Sequence, residues 1–204
     1  MLLTDKVGDN KNSTNTPRKS IIEFGWTVGL PEKNSSETYL HTKLVTDAGE
    51  KGSATASNEG QNLFHRPANN GVYAFVCSME VYRLGFNDIS RKNVIDEKER
   101  EERYKALLQS LLNSFINPRG AMVSVQKPHI TDFKGVVSVS YKLIPAPTIS
   151  PINSDYRQEI RTITDNINRM EEEAIETCDF NSLSELSTIL VNLSTLKPYS
   201  MEKL

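Results

Sequence analysis

The chain has 204 residues, enough for one ordinary domain or a domain with a helical appendage. Hydrophobic residues make up 37%, low for a compact globule yet above a disordered chain, so some long segments should be solvated. A net charge of −2 argues against a protein that grips nucleic acid over its whole surface, but residues 151–204 alone carry −5, leaving +3 on residues 1–150. Any polyanion site is then a local patch in the first three quarters of the chain.

The two cysteines, Cys77 and Cys178, are far apart and lack metal-ligand spacing, which points to a buried thiol and a loop thiol in a reducing compartment. No stretch approaches the ~20 apolar residues of a membrane span. The opening MLLTDKVGDNKNS has two leucines before a charge and does not read as a secretory signal, so a cytoplasmic protein is expected.

In chain order, residues 5–20 are polar and rich in turn formers and read as a loop. Residues 21–30 read as a strand closed by Gly29 and Pro31, residues 31–37 as a turn, and residues 38–46 as a second strand. Residues 47–60 hold almost nothing large and apolar and read as a projecting loop or hairpin tip. Residues 71–84 (GVYAFVCSMEVYRL) are apolar on both faces at first, as in a central strand covered on both sides.

A helix is predicted from Asp96, where Asp96 and Glu99 resemble a capping box. Its apolar stripe runs through Tyr104, Leu107, Leu108, Leu111, Leu112, Phe115 and Ile116 until Asn117-Pro118 stops it. Residues 135–144 alternate strictly, predicting a strand with one packed and one wet face. The last quarter shows two helical repeats, Tyr156 to Ala174 and Phe180 to Leu193, read as an antiparallel helical hairpin with a tight turn and an acidic outer face. The order suits half of a split βαβ sheet, giving an α+β, ferredoxin-like expectation.

The sequence assembles no convincing catalytic or metal site, and no cofactor or metal is expected. The three histidines, His41, His65 and His129, lack metal spacing except for Asp132 three residues after His129, a pairing common by chance. There is no phosphate-cradling glycine loop and no nucleophile elbow. The carboxylates Glu171, Glu172 and Glu173 read as a solvated helix face.

Binding features are stronger. Arg18 and Lys19 stand at the foot of a strand, where two cations can clamp phosphates; the bland alternative is a solubilising loop. His65 and Arg66 offer planar groups for stacking or phosphate contact, and Arg91-Lys92 follow the strand. Arg119-Gly120 open a segment containing Lys127 and His129, with the glycine allowing close backbone approach. Basic residues at several loop edges of one sheet suit single-stranded RNA crossing a four-stranded platform, although no paired aromatic motif for base stacking is present.

The run QNLFHRPANNGVYAFVCSMEVYRLGF at 61–86, the helix start DEKEREERYKALLQSLLNSF, then NPRGAMVSVQKPHITDF and KGVVSVSYKLIPAPT resemble the RAMP-type backbone subunits of type I CRISPR Cascade complexes, the DevR family. Upstream, PRKSIIEFGWTVGLPE is similar to that family's Arg-Thr-Ser segment, with Arg18 and Ser20 matching and Lys19 in place of Thr. The resemblance spans roughly residues 15–155, the C-terminal two-thirds of such a subunit.

It implies an RRM/ferredoxin-like palm in residues 1–150, a protruding thumb loop around 47–66, and a helical hairpin at 151–204. The family's opening strand and helix have no counterpart here, so the palm is expected to be incomplete at the N-terminus. Arg18, Lys19, Ser20, Gln61, His65, Arg66, Arg119, Gly120, Lys127 and His129 would contact RNA. The implied partners are the guide (CR) RNA with its paired target DNA, neighbouring copies of the chain and other Cascade subunits, with no membrane. The implied role is non-catalytic. Two other readings are a protein–protein scaffold acting through the acidic C-terminal helices, and an RNA-processing nuclease using His65 or His129.

Overall fold

The computed structural model describes residues 19–43, 62–119 and 127–199; within these, the side chains of 41–43, 62–64 and 66 are left out. In chain order the elements are β1 (Ile22–Phe24), β2 (Val28–Lys43), β3 (Asn62–Ala74), β4 (Cys77–Met79), a 3₁₀ turn at Val81–Arg83, β5 (Phe86–Asn87), β6 (Lys92–Asn93), α1 (Glu97–Ile116), β7 (Gly135–Ser140), α2 (Tyr156–Met170), β8 (Ile175–Phe180) and α3 (Leu183–Ser194). This is an α+β chain with antiparallel pairs β1–β4, β2–β3, β5–β6 and β7–β8. By its internal contacts it divides into residues 1–26 with 75–204, and residues 27–74.

The smaller unit is a two-stranded ribbon, registered from Val28 opposite Ala74 to Lys43 opposite Asn62. The turn predicted at 31–37 is instead part of β2, and a shift in register between Gly29 and Asn34 accommodates it. Glu32 takes a positive φ of 61° there, and the Asn34 amide donates to Leu30 O at 2.7 Å. A Cβ on Gly29 or Gly71 would collide with the Asn34 side chain, so this bulge requires both glycines. The loop expected at 47–60 lies outside the described residues.

In the larger unit, α1 begins and ends where its signals stand. The Asp96 side chain accepts from Glu99 N at 2.7 Å, and Asn117 caps the C-terminus. Tyr104 and Leu108 are buried and join Leu84, Phe180, Leu186 and Leu190 in one core. Leu111, Leu112 and Phe115 pack against that core half-buried, whereas Ile116, the last residue of the predicted stripe, is exposed. The Tyr104 hydroxyl donates to Leu193 O at 3.1 Å, tying α1 to α3.

A row of rings continues the core: Phe24 on Phe75 at 6.3 Å, Phe75 on Phe115 at 5.7 Å, Phe115 on Phe133 at 4.8 Å, and Phe133 on Phe180 at 5.7 Å. The first three pairs are tilted and the last is stacked, and ring pairs at these separations add attraction beyond the area they bury.

Several predicted strands are cut shorter or split. The run 21–30 divides into β1 and the start of β2, with 25–27 between them. The run 71–84 is not one central strand. It ends a ribbon strand at Ala74, resumes as β4 against β1, and finishes in the 3₁₀ turn. Its alternation is real, but the ladder partner changes at 75–76, and periodicity carries no information about partners. The strand predicted at 135–144 stops at Ser140, whose hydroxyl donates to Lys142 O at 2.7 Å.

The C-terminal region also differs from expectation. Both helices are present, but strand β8 joins them in place of a tight turn, so they are not a simple helical hairpin. Its six residues pair with β7 from Gly135 opposite Phe180 to Ser140 opposite Ile175, so one ladder spans the boundary expected near residue 150. The β-branched and aromatic residues Ile175, Thr177 and Phe180 favour a strand once β7 offers a partner. Cys178 accordingly lies in a strand, half-buried, and not in a loop.

The Glu171–Glu173 cluster follows α2 instead of lying on a helix. Glu171 is its C-cap and Glu173 has a φ of 53°, a turn leading to β8. Carboxylates are unfavourable at a helix C-terminus, and the Lys142 ammonium, 3.4 Å from Glu171, offsets part of that.

Candidate functional site

The predicted RNA-contacting residues fall into two groups, one in each compact unit. Lys19 and Ser20 lead into β1, Arg119 follows α1, and Lys127 and His129 lie in the exposed run that reaches β7; all belong to the larger unit. His65 and Arg66 belong to the ribbon, where β3 pairs them with Leu40 and Tyr39. Arg18, Gln61 and Gly120 lie outside the described residues.

The cations differ in what surrounds them. Lys19 is 3.2 Å from Glu23 and 3.9 Å from Glu80, so its charge is already partly neutralised. Exposed pairs of this kind are weak and exchange readily for a phosphate. The Ser20 hydroxyl accepts from Ile22 N at 3.3 Å, bracing the entry into β1. Arg119 and Lys127 are exposed and make no ion pair among the described residues, nor do Arg91, in the turn after β5, and Lys92, which opens β6.

Other cations have structural duties. Arg83 reaches Glu80 and Asp88, each at 2.7 Å, and hydrogen bonds to Asp88 and Glu80 hold its guanidinium charged far above any accessible pH. Arg161 pairs with Asp179. Lys134 sits 3.0 Å from Asp132, and its hydrogen bond holds that carboxyl below the usual range. The only partner-like neighbour of His129 in sequence is thus engaged elsewhere. Among the described residues no group of three His, Cys, Asp or Glu could hold a metal.

The ribbon brings forward residues that sequence reasoning passed over. Tyr39 is exposed opposite Arg66, with its hydroxyl donating to Glu37 at 2.6 Å. It lines a shallow cleft with Ser35, Glu37, Ala68, Asn69 and Asn70. In the larger unit, Trp26, the only tryptophan, is 92% exposed. The signal for Tyr39 lies in its register with the basic residues of β3, and a register appears only when two strands have been paired.

Comparison with known proteins gives one family. The model of the CRISPR-associated negative auto-regulator DevR/Csa2 matches residues 4–161. No curated protein matches the chain. Among the described residues no helix is long and apolar enough to cross a membrane. The match extends from the strand-leading basic segment through the ribbon, α1 and β7 into α2, and this chain belongs to the CRISPR-associated DevR/Csa2 family.

Proposed function

We propose that this chain is a non-catalytic, guide-RNA-binding backbone subunit of a Cascade-type antiviral surveillance complex, stacking head to tail with copies of itself along the CRISPR RNA. Membership of the DevR/Csa2 family over residues 4–161 carries this reading. On it, the larger unit contributes an RRM-like palm, the ribbon is the thumb, and the guide's bases stay free to pair with target DNA. The unpaired cations Arg119 and Lys127 favour a phosphate contact, because no carboxylate among the described residues has to be displaced. Other subunits of the complex flank the stack, and the protein works in the cytoplasm.

The deciding experiment is the binding of guide-length single-stranded RNA to the purified protein over a series of salt concentrations. Affinity should fall steeply, with log K declining by roughly 0.7 per phosphate neutralised for each unit of log salt. Salt-independent binding, or none, would leave a scaffold acting through its acidic C-terminal helices as the better reading. The RNA should be recovered intact. Cleavage abolished by His65→Ala or His129→Ala would make the protein an enzyme.

A further inference from the structure

Two small surfaces of the larger unit carry opposite charge beside exposed apolar side chains. The first is the β5–β6 hairpin, whose turn is held by its own chain. Asn87 Oδ1 accepts from Ile89 N at 3.0 Å and from Ser90 N at 3.3 Å. Asp88 is tied to Arg83 at 2.7 Å, and Val94 N donates to Gly85 O at 2.8 Å. On this fixed frame Ile89 is 68% exposed, Val94 is exposed, and Arg91 and Lys92 stand in solvent.

The second surface is the turn from α2 to β8. Met170 is 77% exposed at the end of α2, and Glu171, Glu172 and Glu173 follow it, all exposed. Lys142 lies 3.4 Å from Glu171, and Tyr141 N donates to Ala174 O at 2.9 Å, which brings the segment of the exposed Tyr141 and Leu143 alongside. Like Arg91 and Lys92, Glu172 and Glu173 make no ion pair among the described residues.

The backbone singles out the same two places. Among the described residues three non-glycine residues take a positive φ, and two of them are Arg91 at 52° and Glu173 at 53°. Glycine or asparagine would hold either turn with less strain, so the turns themselves do not call for long charged side chains. Aliphatic groups beside the free cations give a phosphate nothing, whereas protein interfaces join apolar contact to charge. The two surfaces are complementary in sign, in keeping with −5 on residues 151–204 and +3 on residues 1–150. A surface and its complement on one chain meet when copies are arranged head to tail.

We propose that the β5–β6 hairpin of one copy docks on the α2–β8 turn of the next, with Arg91 and Lys92 against Glu172 and Glu173, and Ile89 against Met170. The contact rests on the head-to-tail stacking of the proposed function and gives that stacking its surfaces.

The test is self-association of the whole chain without RNA, followed by sedimentation over a concentration series at low salt. The chain should associate, and added salt should weaken the association. Arg91→Glu with Lys92→Glu, and separately Glu172→Lys with Glu173→Lys, should each weaken it by about tenfold or more, because each leaves like charge on both surfaces. Mixed in equal amounts, the two variants should associate again, since each then meets opposite charge on the other. Ile89→Ser and Met170→Ser, which keep every charge, should also weaken association, and they carry the test if a reversal variant fails to fold. A parent chain that stays monomeric, folded reversal variants that associate as before, or a mixture that stays monomeric overturns the proposal. RNA binding is measured apart from association. A chain that binds RNA yet associates without regard to these surfaces loses this contact and keeps the guide-RNA reading; one that associates through them without binding RNA does the reverse.

Discussion

Gly135 shows how much one missing methyl group can matter. A Cβ there would lie 2.7 Å from the Phe180 ring, and Phe180 ends the aromatic row on which β7, β8 and α1 converge. Gly135→Ala should overpack this contact and cost about 1–3 kcal/mol, measured by denaturant unfolding. Arg119 is of the opposite kind, exposed and without an ion pair among the described residues. On the guide-RNA reading, Arg119→Ala should weaken binding equally for all RNA sequences and reduce the salt slope by about 0.7, since phosphate contacts position without specifying. A loss confined to particular sequences would contradict this. Cys77 gives a pH test: burial pushes its thiol up to about 11 from an ordinary 9.0. Thiolate is the reactive form, so alkylation near neutral pH should run on the order of a hundredfold slower than for a free thiol and accelerate until pH exceeds about 11. Fast labelling of Cys77 at pH 7.5 would show that it is not held as described. Asp96 as an N-cap was readable in advance, because capping needs only a side chain three residues from an amide. The neutralisation of Lys19 by Glu80 was not, because those residues meet only through the β1–β4 pairing.

Among the elements, α1 was the most legible and the strands the least. A helix bonds to itself, so its periodicity, cap and stop are all local, and its bounds follow from them. Position along its stripe still decides energy. Leu108→Ala, at a side chain 3% exposed, should cost about 2–5 kcal/mol, whereas Ile116→Ala, 59% exposed, should stay within about 0.5 kcal/mol of neutral. Equal effects of the two in thermal or denaturant unfolding would mean that the stripe is not seated as described. A strand bonds to something remote. The alternation of residues 71–84 was read as one central strand, yet the chain passes there from the ribbon to the β1 ladder. The segment between the two C-terminal helices was read as a break because its neighbours were strongly helical, and it became a strand because β7 lay within reach.

For the whole molecule, the division into two units separates the predicted RNA-contacting residues without relating them. The ribbon holds His65 and Arg66, and the larger unit holds Lys19, Ser20, Arg119, Lys127 and His129. A two-stranded ribbon whose described residues are mostly exposed has little apolar burial to stabilise it. Amides in β2 and β3 should therefore exchange much faster than those of α1 and α3 in the isolated protein, and guide RNA should slow them if the ribbon acts as a thumb. Equal protection throughout would contradict the separation.

By itself the sequence determined the α+β class, the start of α1 near Asp96 and its stop at Asn117-Pro118, the presence of two C-terminal helices, and a family resemblance resting on the order and spacing of segments. Each of these depends on residues near one another along the chain or on their linear sequence. Tertiary structure alone decided the split of residues 71–84 between two ladders, the strand between α2 and α3, and the approach of Glu80 to Lys19. All of these are pairings between distant segments, and hydrophobic spacing records that a residue wants a partner without recording which one.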